Sequence, residues 1–163
     1  MLCTLPRLAH FCLDSDNPCN EHLLKAVATS PSLKALKSLR LLDQSLSKQG
    51  LLHLSHSLRL SACLTQLSIN FCFLDFKACQ VLAKGVQANH SLVKLDLGDN
   101  ALQSQHLSSL LEVLTHHQYL GLLNLRKNQL DDVFAKQLAQ VLSYNEILYK
   151  VDISANPVTN VGA

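Results

Sequence analysis

Residues 92–100 read Leu-Val-Lys-Leu-Asp-Leu-Gly-Asp-Asn, and residues 120–128 read Leu-Gly-Leu-Leu-Asn-Leu-Arg-Lys-Asn. The two stretches lie 28 positions apart, and the same step runs outward in both directions. Leu8, Leu36, Leu64, Leu92, Leu120 and Leu148 are evenly spaced, with no insertion between them. A fixed period of this length marks an array of one small unit, here used six times.

With each leading Leu as position zero, position three is Phe11, Leu39, Leu67, Leu95, Leu123 and Val151. Position five is Leu13, Leu41, Ile69, Leu97, Leu125 and Ile153. Side chains alternate along a strand, so these positions share a face, and each unit opens with a short strand whose apolar side points inward. Position ten adds Leu46, Leu74, Leu102, Leu130 and Val158, with Pro18 the one exception. The second half of the unit changes to helical spacing. Positions 15, 18, 19 and 22 are Cys79, Leu82, Ala83 and Val86 in the third unit. They are Leu107, Leu110, Leu111 and Leu114 in the fourth, and Ala135, Leu138, Ala139 and Leu142 in the fifth. Steps of three and four put each set on one helical face. Asn20, Ser104 and Asp132 stand where an N-cap is expected. Lys48 and Phe76 fill that slot in the second and third units and are poor caps, which weakens the expected starts of those two helices.

Position eight is Asn100, Asn128 and Asn156 in the last three units. An Asn buried there can bond its own turn and the neighbouring coil through both ends of its amide, so a stack of them stitches successive units together. Toward the N-terminus the column reads Cys72, Gln44 and Asp16. Cys is an accepted alternative in such a slot, whereas Gln and Asp depart from it.

The runs 92–100 and 120–128 resemble the leucine-rich repeat consensus, and the 28-residue unit with a full helix resembles its ribonuclease-inhibitor-like subclass. The resemblance covers nearly the whole chain. It implies an α/β solenoid, a horseshoe segment with parallel strands on its concave face and helices on its convex face, forming a single leucine-rich repeat domain over residues 1–163. It implies little about function, because one fold hosts many roles. Both ends read as truncated repeats. Leu2 and Leu5 fall on positions 22 and 25 of a unit otherwise absent, and residues 161–163 stop where a sixth helix is due. The chain is therefore expected to be a fragment or short form of a longer repeat protein; an intact mass equal to that of these 163 residues would refute this.

An apolar content of 48% supports a continuous core strip between strands and helices. The net charge of +2, the absence of Trp and the lack of a basic stripe with interleaved aromatics make no case for nucleic-acid binding. No run approaches 18 apolar residues, so no membrane span is expected. The first thirteen residues fit the first strand better than a signal peptide. The six Cys are spaced 9, 7, 44, 9 and 7 apart without a Cys-x-x-Cys pair, which suits small buried hydrophobes better than disulfides or metal ligands. The expected location is the cytoplasm, with the nucleus as alternative, and the sequon Asn89-His-Ser91 would go unused there.

Two surfaces stand out as partner-binding candidates. The outward positions of the strands are two, four and six, and on the last three strands they gather Lys94, Asp96, Asn124, Arg126, Lys150 and Asp152. Such a mixed patch can pair with a partner's charges, or it is an ordinary solvated face. The second candidate is Phe71, Phe73 and Phe76, on one strand-to-helix loop where other units carry mostly polar residues. They are either interface anchors or a satellite cluster folded over neighbouring loops. No metal site is expected: His53 and His56 have suitable helical spacing but no further ligand in the repeat frame, and His116 and His117 read as surface residues. No catalytic motif, phosphate-cradling loop, cofactor or small-molecule substrate is indicated, so the chain reads as non-enzymatic. The expectation is a protein–protein interaction module, a scaffold or adaptor holding another protein on its concave face. The alternative is a regulator of an enzyme, an inhibitor or a GTPase activator, with Arg40 or Arg126 as the kind of residue offered to a nucleotide site.

Overall fold

The computed structural model describes residues 9–14, 25, 35–43 and 46–159. Six strands form one parallel sheet in sequence order: β1 (His10–Asp14), β2 (Ser38–Leu42), β3 (Gln66–Asn70), β4 (Lys94–Asp96), β5 (Leu122–Asn124) and β6 (Lys150–Asp152). Four helices among the described residues link successive strands from β2 onward: α1 (Lys48–Leu60), α2 (Phe76–Gln87), α3 (Ser108–His116) and α4 (Asp132–Leu142). Parallel neighbours need such crossovers, because a tight turn cannot reverse the chain twice. A short three-ten turn, Ser104–Leu107, leads into α3.

The register of every strand pair equals the repeat step. Leu39 faces Leu67, Leu67 faces Leu95, and Leu95 faces Leu123. All four are buried, as are Leu41, Ile69, Leu97 and Leu125 two residues further on. Each ladder of identical positions therefore becomes one row of the core. The outer rows are less covered: Phe11 and Leu13 on β1, and Val151 and Ile153 beyond and on β6, are half-buried.

The helical faces read from the sequence hold for α2 and for the α3 segment, where all eight residues are buried. In α4 the face differs. Phe134, Ala135, Leu138 and Val141 are buried, while Ala139 and Leu142 are exposed. The reason lies in helix stacking. Positions 19 and 22 of α1 are Ser55 and Leu58, and both pack against Gly85 of α2, so these positions face the following helix. Among the described residues α4 has no following helix, and its positions 19 and 22 stay open to solvent. Gly85 is what permits the α1–α2 approach: a Cβ there would sit 2.9 Å from Ser55 Oγ and 3.0 Å from Ser55 Cα.

The caps correct the sequence reading by one residue. Ser47 accepts from the Gly50 N–H, Asp75 from the Ala78 N–H, and Asp131 from the N–H groups of Val133 and Phe134. The capping slot is position eleven, so α1 and α2 are properly capped after all. Asp132 lies inside its helix and binds Thr159 instead, accepting from both its N–H and its hydroxyl at 2.7 Å. Ser104 donates to Asp131 across to the next loop. Asn20, Pro18, Gln44 and Asp16 lie outside the described residues.

Candidate functional site

The Asn column does what its position requires. Asn128 donates to the carbonyls of Leu97 and Leu125 and accepts from the N–H groups of Asn100 and Leu102. Asn100 donates to Ile69, Leu97 and Gly98 and accepts from Cys72. Asn156 repeats the pattern on Leu125, Ile153, Asn128 and Leu130. Cys72 holds the same slot with its Sγ against the Asn70 carbonyl at 3.2 Å. These residues are occupied by the fold.

A second column, at position 25 in the helix-to-strand turns, was not foreseen. Asn89 donates to Leu58 and Ser61 and accepts from Ser91 and Leu92. Asn145 donates to Leu114 and His117 and accepts from Ile147 and Leu148. Between them stands His117, which is buried rather than on the surface. Its Nδ1 accepts from the N–H groups of Tyr119 and Leu120, and its Nε2 lies 3.0 Å from the Val86 carbonyl. Two donors at Nδ1 and an acceptor at Nε2 select the neutral tautomer carrying its proton on Nε2. Burial first, and the nearby His90 in smaller measure, hold His117 below the usual histidine pKa. The sequon at Asn89 is likewise taken up: its amide is inside the protein.

The face of the sheet turned away from the helices carries the first candidate patch. Lys94, Asp96, Asn124 and Asp152 are half-buried there, and Arg126 and Lys150 are exposed. The structure brings part of the patch together. Asp96 Oδ1 accepts from Asn70 Nδ2 at 2.9 Å, from Asn124 Nδ2 at 3.0 Å and from the Gly98 N–H at 3.1 Å. Asn124 Oδ1 accepts from the Arg126 N–H, and Asp152 Oδ1 from the Ser154 N–H. Hydrogen bonds from Ser154, aided by Arg126 and Lys150, keep the Asp152 carboxyl below its ordinary pKa. The acids and amides are thus largely tied to their own sheet. Lys94, Arg126 and Lys150 enter no salt bridge among the described residues, whereas Lys127 pairs with Asp99 at 3.4 Å.

Of the two readings of the second candidate, the structure favours exposure: the three Phe do not fold down over neighbouring loops. Phe71 is 50% exposed, Phe73 81% and Phe76 41%. Alternation explains it. Cys72 and Leu74 turn into the core, so Phe71 and Phe73 must turn out, and Phe76 begins α2 on its solvent side. Both outward residues also hold a left-handed backbone, φ 56° at Phe71 and 47° at Phe73. That region costs a bulky side chain on the order of 1–2 kcal/mol. Elsewhere in the chain, burial raises the Cys79 thiol to about 12, which leaves it un-ionised and without nucleophilic character at neutral pH.

A parallel sheet in sequence order, a 28-residue register and stacked Asn turns define a leucine-rich-repeat-like α/β protein with an open polar sheet face. Comparison with known proteins points the same way. The chain is 36% identical over 143 residues to NACHT, LRR and PYD domains-containing protein 12 of Mus musculus, across 86% of this chain and 13% of that protein. It is 33% identical over 162 residues to NACHT, LRR and PYD domains-containing protein 5 of Homo sapiens, across 98% of this chain and 13% of that one. It is also 32% identical over 100 residues to the Protein phosphatase 1 regulatory subunit 37 homolog of Caenorhabditis elegans, across 61% of this chain and 11% of that protein. The chain thus spans about an eighth of the length of these relatives. No family model matches it. Among solved structures it is similar in fold to Leiomodin-1 Actin-Binding Site 2, with a TM-score of 0.71 at 15% identity over 81% of this chain and 77% of that one.

Proposed function

We propose that this chain is a non-catalytic protein-interaction module, a single leucine-rich repeat solenoid of the ribonuclease-inhibitor-like kind, acting in the cytoplasm and holding a partner protein on its concave sheet face. One observation carries the reading. Of the candidate residues left once those the fold consumes are set aside, Lys94 forms no ion pair, Arg126 and Lys150 share the single carboxylate of Asp152, and Phe71, Phe73 and Phe76 stand exposed beside them. Cations in excess of the carboxylates beside them and exposed aromatics are what a binding surface offers. The similarity to proteins named for their LRR regions and to a phosphatase regulatory subunit supports the same role.

The test is affinity capture from cytosolic extract with wild type, Lys94→Glu/Arg126→Glu and Phe73→Asp, each checked for folding. Loss of a stoichiometric partner in either folded variant supports the reading. Equal capture by all three contradicts it. A second reading, regulator of an enzyme, is favoured by the phosphatase regulatory subunit relative. It predicts that the purified chain changes the activity of a protein phosphatase 1 catalytic subunit in a direct assay.

A further inference from the structure

We infer that the early half of the open sheet face is a receptor for an anionic side chain of a partner protein, gripped between Arg40 and Lys94. This rests on the reading of that face as the protein-binding surface and names the chemistry it takes. A hollow of about 460 Å³ lies over β1 to β4, and Arg40, Lys94, Ser38, Ser68, Gln66 and His10 contribute to its lining.

The hollow exists because of the residues at its floor. Ser38 and Ser68 are short, buried side chains on β2 and β3, where later strands carry longer ones at the same positions, Leu122 and Lys150, and Asn124 and Asp152. Neither hydroxyl has an intramolecular partner among the described residues. Arg40 rises from β2 and Lys94 from β4, two strand spacings apart, about 10 Å. Both long side chains line the hollow that lies between their strands. Neither forms a salt bridge among the described residues. Asp96 is the one carboxylate in the lining, and its Oδ1 already accepts three hydrogen bonds. The lining therefore presents two cations without a salt bridge and two unpartnered hydroxyls against one carboxylate, Asp96, whose Oδ1 is held by Asn70, Gly98 and Asn124.

An anion with several acceptor oxygens answers all four groups at once. Arg offers a planar fork to a carboxylate or phosphate, Lys offers a point charge, and the Ser hydroxyls donate from below. The occupant is the side chain of an acidic or phosphorylated residue in an extended segment laid across the strands. Carboxylate and phosphate share this chemistry, and charge separates them: a phosphoserine carries about −1.5 to −2 at neutral pH, against −1 for glutamate.

The experiment titrates the full chain with three capped tripeptides, Ala-X-Ala, in which X is phosphoserine, glutamate or serine, and follows backbone amide shifts by NMR. Saturable shifts confined to β1–β4 are expected with phosphoserine or glutamate and none with serine. Affinity should fall about tenfold in Arg40→Ala and in Lys94→Ala and stay unchanged in Lys84→Ala, on the helical side. The tighter of the two anions identifies the source. No saturable shift with either anion, or binding that survives Arg40→Ala/Lys94→Ala, overturns the proposal. A partner captured equally by wild type and by that double variant removes the pocket but leaves the open-face reading standing. Equal capture by wild type, Lys94→Glu/Arg126→Glu and Phe73→Asp counts against the reading itself.

Discussion

The strand-to-helix turns of the third and fourth units share a backbone and differ in surface. In both, positions seven and nine are left-handed: Phe71 and Phe73 in one, Asp99 and Ala101 in the other. In both, positions eight and ten turn inward, as Cys72 and Leu74 or Asn100 and Leu102. The fourth turn spends its outward residues modestly, with Asp99 paired to Lys127 and a small Ala at the next position. The third exposes two Phe in a conformation that disfavours bulky side chains. Position eight is dictated by the fold; positions seven and nine are left to selection for something else. The left-handed backbone at position seven belongs to the repeat, since Asp43, Lys127 and Ala155 hold it too; what is peculiar to the third unit is the two aromatic side chains placed on it.

That contrast can be broken from the inside first. Asn128→Leu should be the most damaging change, because it removes both ends of an amide that serves five backbone groups, those of Leu97, Asn100, Leu102, Leu125 and Arg126. With orphaned groups costing about 1–3 kcal/mol each, a loss of at least about 3 kcal/mol is expected in urea unfolding. Gly85→Val should cost about 1–3 kcal/mol by forcing α1 and α2 apart. Unchanged stability there would mean the helices adjust freely. Asp75→Ala tests the corrected capping slot and should cost about 1 kcal/mol, whereas a change at Phe76 should leave capping intact.

His117 sharpens the comparison between the two stapling columns, since only this member titrates near neutrality. Its folded-state pKa lies below the unfolded value near 6.5, so the folded chain binds fewer protons than the unfolded one in the window beneath that value. Stability is full above about pH 6.5 and declines as pH falls, by at most about 1.4 kcal/mol per unit. His117→Asn, which copies Asn89 and Asn145, should keep the staple and flatten that slope. The smallest effect belongs to the surface: Phe73→Ser should change stability by no more than about 0.5 kcal/mol and should act on binding alone.

Much of the fold was legible because register and repeat step are the same number, so a column of leucines in the sequence is a row of the core. The Asn turns were legible for the same reason. The capping slot was not, because the fourth and fifth units carry polar residues at both positions eleven and twelve, Gln103-Ser104 and Asp131-Asp132. Only Ser47 beside Lys48 and Asp75 beside Phe76 separate the two positions. The second staple was hidden because Asn89, His117 and Asn145 differ in type and agree only in offering a donor and an acceptor at similar reach. The α4 face was misread because periodicity cannot say which flank has a neighbour. The polar patch was visible as a set of residues. Sequence order could not show that Asp96, Asn124 and Asp152 are bonded to their own sheet while the cations are not.

The most direct test is site-specific photo-crosslinking in cells, with p-benzoylphenylalanine placed singly at Gln66 on the open face, at Phe73 on the exposed loop, and at Lys84 and Gln140 on the helical side. The account predicts that Gln66 and Phe73 crosslink to the same partner protein and that the helical positions do not. Adducts from Lys84 or Gln140 alone would contradict it and move the binding surface to the helices.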